Sequence, residues 1–325
     1  MIVLLIRRLG QALIAVLVMA LIVFVGVFAV GNPVDILVAP DATQAEIART
    51  VARLGLDEPL WRQFLTFFSG MIQGDLGRSF VYGQPAMEII LARLPATIEL
   101  SLVALALAIV FGVPLGILAG LNPESIVGRT IMAGSILGFS MPNFWQGMML
   151  ILLFAVVLGW LPAGGRGETA EFLGMHLSIL TRDGLAHLLL PALNLALFKM
   201  ALVIRLARAG TREVVMQDYI KFARAKGLSY RRVVTVHVAK NIMIPVVTIL
   251  GLELGSMIAF AVVTETVFAW PGIGKLLIDS INLLDRPLIV AYVMLTVVIF
   301  VFINLAVDLL YTLLDPRVRL TEMKA

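Results

Sequence analysis

The chain is 325 residues long, 60% hydrophobic and 14% charged, with a formal charge of +4 and a pI near 9.6. Soluble globular chains run nearer ~45–50% apolar and ~25% charged, so this composition excludes an ordinary soluble domain and calls for a lipid-facing surface. With no cysteine, disulfides, thiol nucleophiles and thiolate metal sites are excluded as well.

Six apolar stretches approach or exceed the roughly 20 residues a helix needs to cross a bilayer. They cover 9–30, 96–120, 131–160, 186–207, 243–265 and 288–312. The expected fold class is therefore an all-α integral membrane protein with six transmembrane helices. The first stretch follows Arg7-Arg8 and runs 22 residues to Val30. That exceeds the ~7–15 apolar residues of a secretory signal, and Gly31-Asn32-Pro33 gives no Ala-x-Ala cleavage pattern, so it reads as a retained span. Segment 31–95 holds a helix-like stretch, Ala45 to Leu54, then the aromatic, amphipathic run Pro59 to Phe68. The latter is expected to lie on the membrane surface or to cover a pore mouth. The second span carries Pro114 and the series Gly112, Gly116 and Gly120, whose spacing predicts close helix contact. The third is long and interrupted at Ser140-Met141-Pro142-Asn143.

Basic residues set the orientation. With the N-terminus cytoplasmic, segments 1–8, 121–130, 208–242 and 313–325 are inside and hold 14 Lys/Arg in 66 residues. Segments 31–95, 161–185 and 266–287 hold 9 in 112. Both termini are thus expected in the cytoplasm.

Motifs for self-contained chemistry are missing. Gly272-Ile273-Gly274-Lys275 lacks the first glycine of a Walker A loop, and Leu276 stands where Ser or Thr must bind magnesium. His176, His187 and His237 are scattered, and there is no Gly-x-Ser-x-Gly elbow. The chain reads as neither an ATPase nor an enzyme, so its energy source is an ion gradient or a partner chain.

The inner loop, 208–242, bears on that choice. Asp218 to Lys226 suits a short helix on which Tyr219, Phe222, Ala223 and Lys226 share a face. Gly227 is placed to end it and Ser229 to cap the next. Such a helix, small on one face and basic at its rim, is shaped for a groove in another protein. The alternative is a loop whose charge only obeys the positive-inside rule.

Ala223-Arg224-Ala225-Lys226-Gly227, followed by Asn241-Ile242-Met243-Ile244-Pro245, resembles the cytoplasmic loop of ABC-importer permeases. More narrowly it is similar to the dipeptide/oligopeptide/nickel family, in which Lys221-Phe222-Ala223 replaces Glu-Ala-Ala and proline follows the glycine by 18 residues. Further matches cover most of the chain: Gly74-Asp75-Leu76-Gly77-Arg78-Ser79, Leu94 to Leu100, Met141 to Phe144, Leu158 to Pro162, Leu190 to Leu193, Phe268 to Gly274, Asp308 to Tyr311 and Leu314 to Arg317. The loop from Gly74 to Ser79 resembles the B-type partner of the two permease chains. Gly31-Asn32-Pro33 and Asp285-Arg286-Pro287 depart from the commoner family forms.

The resemblance implies a type I importer permease fold: a first helix over 1–30, an extracytoplasmic region over 31–95, a permease domain over 96–312 with coupling loop 208–242, and a cytoplasmic tail over 313–325. It implies a second homologous permease, two cytoplasmic ABC ATPases that bind ATP and magnesium, an extracytoplasmic solute-binding protein, and a bacterial inner membrane. No cofactor, metal or nucleic acid is expected on this chain. ATPase coupling is assigned to Asp218, Tyr219, Phe222, Ala223, Arg224, Ala225, Lys226 and Gly227. Peptides are the expected cargo, with nickel, opines, glutathione, sugars and peptide antibiotics also open.

Five charges fall within or at the ends of spans: Lys199, Arg205, Glu253, Glu265 and Asp308. A charge at mid-bilayer costs at least ~2.5–3.5 kcal/mol, so it should face protein or water. Lys199 and Glu253 are the deepest, and are candidates either to pair or to line the path. Arg205, Glu265 and Asp308 are expected to anchor at the interface. The reading from another class is a secondary transporter using Glu253, Lys199 and Asp308 as an ion relay; a third is a non-transporting scaffold.

Overall fold

The computed structural model describes residues 2–29, 43–53 and 57–314. Gly31-Asn32-Pro33, Asp315-Pro316-Arg317, Arg319 and Lys324 lie outside the described residues, as does the side chain of Asp308. The chain divides into two compact units, Met1–Leu94 with Gly272–Val301, and Pro95–Pro271 with Phe302–Ala325.

The first unit opens with α1 (Ile2–Ala29), then α2 (Gln44–Arg53) and α3 (Leu60–Ile72). A capping box starts α2. Thr43 N–H donates to Glu46 Oε2 at 2.8 Å while Glu46 N–H donates back to Thr43 Oγ1 at 3.4 Å. The backbone bond from Thr43, then its hydroxyl, hold the Glu46 carboxyl below its ordinary pKa. The aromatic run predicted to be amphipathic forms α3, whose Phe64 meets Phe24 of α1 edge-on at 5.3 Å. A turn over 73–85 then leads into α4 (Ala86–Leu121). The unit is completed by α11 (Ile273–Asn282) and the first part of α12 (Arg286–Leu314).

The second unit holds the rest of α4, then α5 (Ile126–Ser140) and α6 (Asn143–Leu150), which continues as a π-helical turn, Ile151–Val157. The expected third span is thus not one straight helix: its halves bend by 108°. Met141 before Pro142 is extended, at φ −81° and ψ 137°, as a residue preceding proline prefers. Gln146 Nε2 reaches back to the freed carbonyl of Gly138.

A short hairpin follows, β1 (Ala170–Phe172) against β2 (Met175–Leu177), within an otherwise helical fold. Its two-residue turn places Leu173 and Gly174 at positive φ, 51° and 76°, the mirror-image geometry that tight hairpins use. Then come α7 (Arg182–Val215), α8 (Asp218–Ala225), one helical turn at Tyr230–Arg232, a π-helical turn at Val233–Val238, α9 (Ala239–Phe260) and α10 (Val262–Val267).

Packing in this unit centres on α7, which lies against α5, α6 and α9 and is crossed closely by α4. A Cβ at Gly116 would lie 2.5 Å from Ala207 Cβ and 2.7 Å from the Ile204 carbonyl. At Gly112 and Gly120 the nearest atoms would be Val203 and Thr211, at 2.9 and 2.7 Å. The glycine series therefore marks a near-backbone helix crossing. Among the described residues α4, α7 and Arg286–Val307 are long and apolar enough to cross a membrane; the two bent pairs raise the number to five, and α1 adds the shorter stretch Gly10–Gly26.

Candidate functional site: the loop helix and the intramembrane charges

The loop predicted for docking forms α8, and its ends are set by local chemistry. Lys221 Nζ donates to Asp218 Oδ1 at 2.9 Å in the first turn. That bond, and then the charge of Lys221, hold the Asp218 carboxyl below its ordinary pKa. At the far end Gly227 has φ +78°, its N–H donates to Arg224 O at 2.9 Å, and Leu228 N–H donates to Ala223 O at 3.3 Å. These are the two bonds of a Schellman turn, which needs a residue in the left-handed region. Ser229 stands at the cap of the next helical turn without a side-chain bond; its carbonyl accepts from Val233 N–H at 3.0 Å.

The two faces of α8 differ. Ile220 and Ala223 are buried in a cluster with Val233, Val238, Ile242 and Val246, continuous with Val203 and Ala207 of α7. Tyr219 and Phe222 remain 43% and 63% exposed, and Lys226 Nζ lies 4.7 Å from the Phe222 ring centroid. Arg224 and Ala225 are exposed. Ala223, grouped with Tyr219 and Phe222 by periodicity, turns inward. At ~100° per residue it lies about 60° from Ile220 and about 100° from Phe222, so the apolar seat claims it.

Of the five intramembrane charges, Lys199 and Glu253 are brought together. Lys199 Nζ donates to Glu253 Oε2, and to Ser256 Oγ at 3.0 Å. The Ser256 hydroxyl is also 2.9 Å from Glu253 Oε2. Their side chains keep 13% and 29% exposure, so the pair lies at an open edge of its unit. Glu265 is not an interfacial anchor: it is fully buried and accepts from Thr97 Oγ1 at 2.6 Å. Its helix, α10, follows the end of α9, so a position near the end of the expected span is interior to the fold. Arg205 lays its guanidinium over Phe139, 4.9 Å from the ring centroid.

Several polar joints were not singled out as sites from sequence. Glu99, nearly buried, accepts from Arg166 Nη2 at 2.9 Å and from Ile179 N–H at 2.8 Å. Arg166 also bonds the His176 carbonyl and lies 5.7 Å from the Trp270 ring, whose Nε1 donates to Ala96 O at 2.9 Å. Asn194 Nδ2 donates to Asn143 Oδ1 at 2.7 Å and to Thr264 Oγ1 at 3.1 Å. In the first unit, buried Asp285 accepts from Ser79 Oγ and from the N–H groups of Phe80 and Val81, both at 3.2 Å. The signal was in the short motifs themselves, since Ser79, Glu99, Asn143 and Trp270 all lie within them. Among the described residues no group of three His, Asp or Glu is placed to hold a metal.

The described residues thus combine apolar helices of membrane-crossing length, a short helix seated by one face and open on the other, and a half-buried charge pair. The family model for the binding-protein-dependent transport system inner membrane component matches residues 112–320, and its N-terminal companion matches 1–101. The chain belongs to this family. It is an ABC permease of the peptide-transport type and a multi-pass membrane protein. It is 39% identical to the di/tripeptide transport system permease protein DppB of Pseudomonas aeruginosa, over 89% of this chain and 90% of that one. It is 38% identical to the dipeptide transport system permease protein DppB of Escherichia coli K12, over 96% and 97%. It is 40% identical to the oligopeptide transport system permease protein AppB of Bacillus subtilis, over 89% and 90%. Among solved structures, an inward-facing MetNI methionine ABC transporter shares the fold with a TM-score of 0.53 at 16% identity, covering 70% of this chain and 97% of that one.

Proposed function

We propose that this permease is one of two related transmembrane subunits of an ATP-driven importer of short peptides. In this reading α1 completes six crossings, both termini are cytoplasmic, and the assembly sits in a bacterial inner membrane. Two ATPase subunits bind ATP and magnesium beneath the loop 208–242, and an extracytoplasmic binding protein delivers the peptide. Closure of the ATPases drives alternating access through α8.

The observation that carries this reading is the division of α8 into a seated face and a free face. Ile220 and Ala223 lock it to the cluster that holds α7 and α9. Tyr219, Phe222 and Lys226 are left for a partner groove. A helix so seated moves with its bundle, as force transmission requires. Peptide cargo is supported by the di-, tri- and oligopeptides for which the bacterial relatives are named.

The test is purification of the chain in mild detergent, with identification of what accompanies it and an ATPase assay. A second permease and two ATPases, with nucleotide hydrolysis, are expected. Uptake by the chain alone in liposomes under a proton or sodium gradient would instead make it a secondary transporter with Lys199–Glu253 as the relay.

A further inference from the structure

Phe139 of α5 and Phe198 of α7 stack with ring centroids 4.9 Å apart and planes at 20°. The Arg205 guanidinium covers Phe139 at 4.9 Å, and Lys199 Nζ lies 5.5 Å from the Phe198 ring. Phe198 and Arg205 are seven residues apart, so they share a face of α7 at about 10 Å along the axis. Phe198 stands at the middle of Arg182–Val215. The Arg205 side chain therefore reaches back toward the middle of its helix, the opposite of an arginine snorkelling to the near interface.

Three features characterise this face. The rings stay open, with Phe139 43% and Phe198 39% exposed. The Lys199 charge is taken up by Glu253, whereas among the described residues no carboxylate pairs with Arg205. An apolar cleft of about 250 Å³ adjoins this face, lined not by Phe139, Phe198 or Arg205 but by their chain neighbours Gly138, Leu197 and Ile204, about 100° round each helix, with Gly134, Met200 and Ala201. A guanidinium turned toward the middle of a span is costly against acyl chains, which favours a face that meets water or protein.

We propose that this face is a substrate subsite. Arg205 receives the C-terminal carboxylate of a peptide crossing the membrane, and the exposed edges of the stacked rings receive its last side chain. A guanidinium presents parallel N–H donors that match a carboxylate, and the ring beneath it fixes the plane of the fork. The neighbouring Lys199–Glu253 pair is self-neutralised, and among the described residues Arg205 has no carboxylate partner on this face. The subsite rests on the peptide-importer reading.

The test uses the complete transporter in proteoliposomes with its binding protein, comparing uptake of alanyl-phenylalanine with that of its C-terminal amide. The binding protein is held constant, so its own selectivity cancels when variants are compared. Arg205→Gln is expected to lower the acid-to-amide ratio about tenfold, the effect of losing one charged hydrogen-bonding partner, and Arg205→Lys to lower it less. An unchanged ratio with uptake of both peptides reduced overturns the subsite and makes Arg205 a joint to the second subunit. Should Arg205→Gln not assemble, Phe139→Leu is read in the same way: it keeps the charge but removes the ring, and the ratio is expected to fall at least threefold. A wild-type complex that hydrolyses ATP and carries neither peptide overturns the peptide reading and this subsite with it.

Discussion

Replacing Gly227 with proline separates energy coupling from assembly. Gly227 has φ +78° and closes α8 through two bonds, from its own N–H to Arg224 O and from Leu228 N–H to Ala223 O. Proline fixes φ near −65° and has no N–H, so neither bond survives in place. At ~0.5–1.5 kcal/mol net for each bond, the loss is about 1–3 kcal/mol. Full burial of Ile220, the larger of the two seating residues, contributes about 1.5–3 kcal/mol. The two magnitudes match, so α8 should loosen from its seat while the apolar helices remain inserted. Gly227→Ala keeps both donors and bears only the left-handed strain of about 1–2 kcal/mol, and should be intermediate. The assay is peptide uptake per ATP hydrolysed by the complete complex in proteoliposomes. Gly227→Pro is expected to keep hydrolysis and lose at least tenfold in uptake. Wild-type uptake per ATP in that variant would show that the ordered turn transmits nothing.

The two faces of α8 should respond differently. Ile220→Ala is expected to destabilise the subunit by about 2–5 kcal/mol, as core truncations do, and to lower its melting temperature in detergent. Phe222→Ala should leave melting unchanged and weaken recovery of the ATPase chains; equal effects on both readouts would mean that α8 has no free face. Exchanging the paired charges, Lys199→Glu with Glu253→Lys, should restore assembly lost in either single variant, because each alone strands a charge in the membrane. If the double variant assembles no better, the pair is not a structural one. The capping box of α2 should respond to pH in one direction. The Glu46 carboxyl is held below its ordinary pKa, so its contribution is present above the unfolded value and is lost as pH falls through the lowered one. Amide exchange in α2 should accelerate over that acid range, and Glu46→Gln should remove the dependence.

The membrane class, the long apolar helices α4, α7 and α12 and the boundaries of α8 were legible in the sequence because each is a local matter. Apolar length, glycine spacing and a left-handed glycine act over a few residues. The helix crossing at Gly116 was predicted by spacing alone, and the structure supplies its partners, Ile204 and Ala207. The hairpin at 170–177 was missed because a two-residue turn with Gly174 in second place is a weak signal within an apolar chain. Three assignments needed tertiary contacts. Ala223 went to the seated face because the bundle claimed it, Glu265 was buried because Thr97 comes from a distant helix, and Arg205 reached back along α7 because Phe139 lies beneath its guanidinium. Composition and periodicity fix how far a chain must be buried and with what period. Which charge meets which partner depends on residues up to 206 positions apart, as for Ser79 and Asp285, and only the packing of helices brings those together.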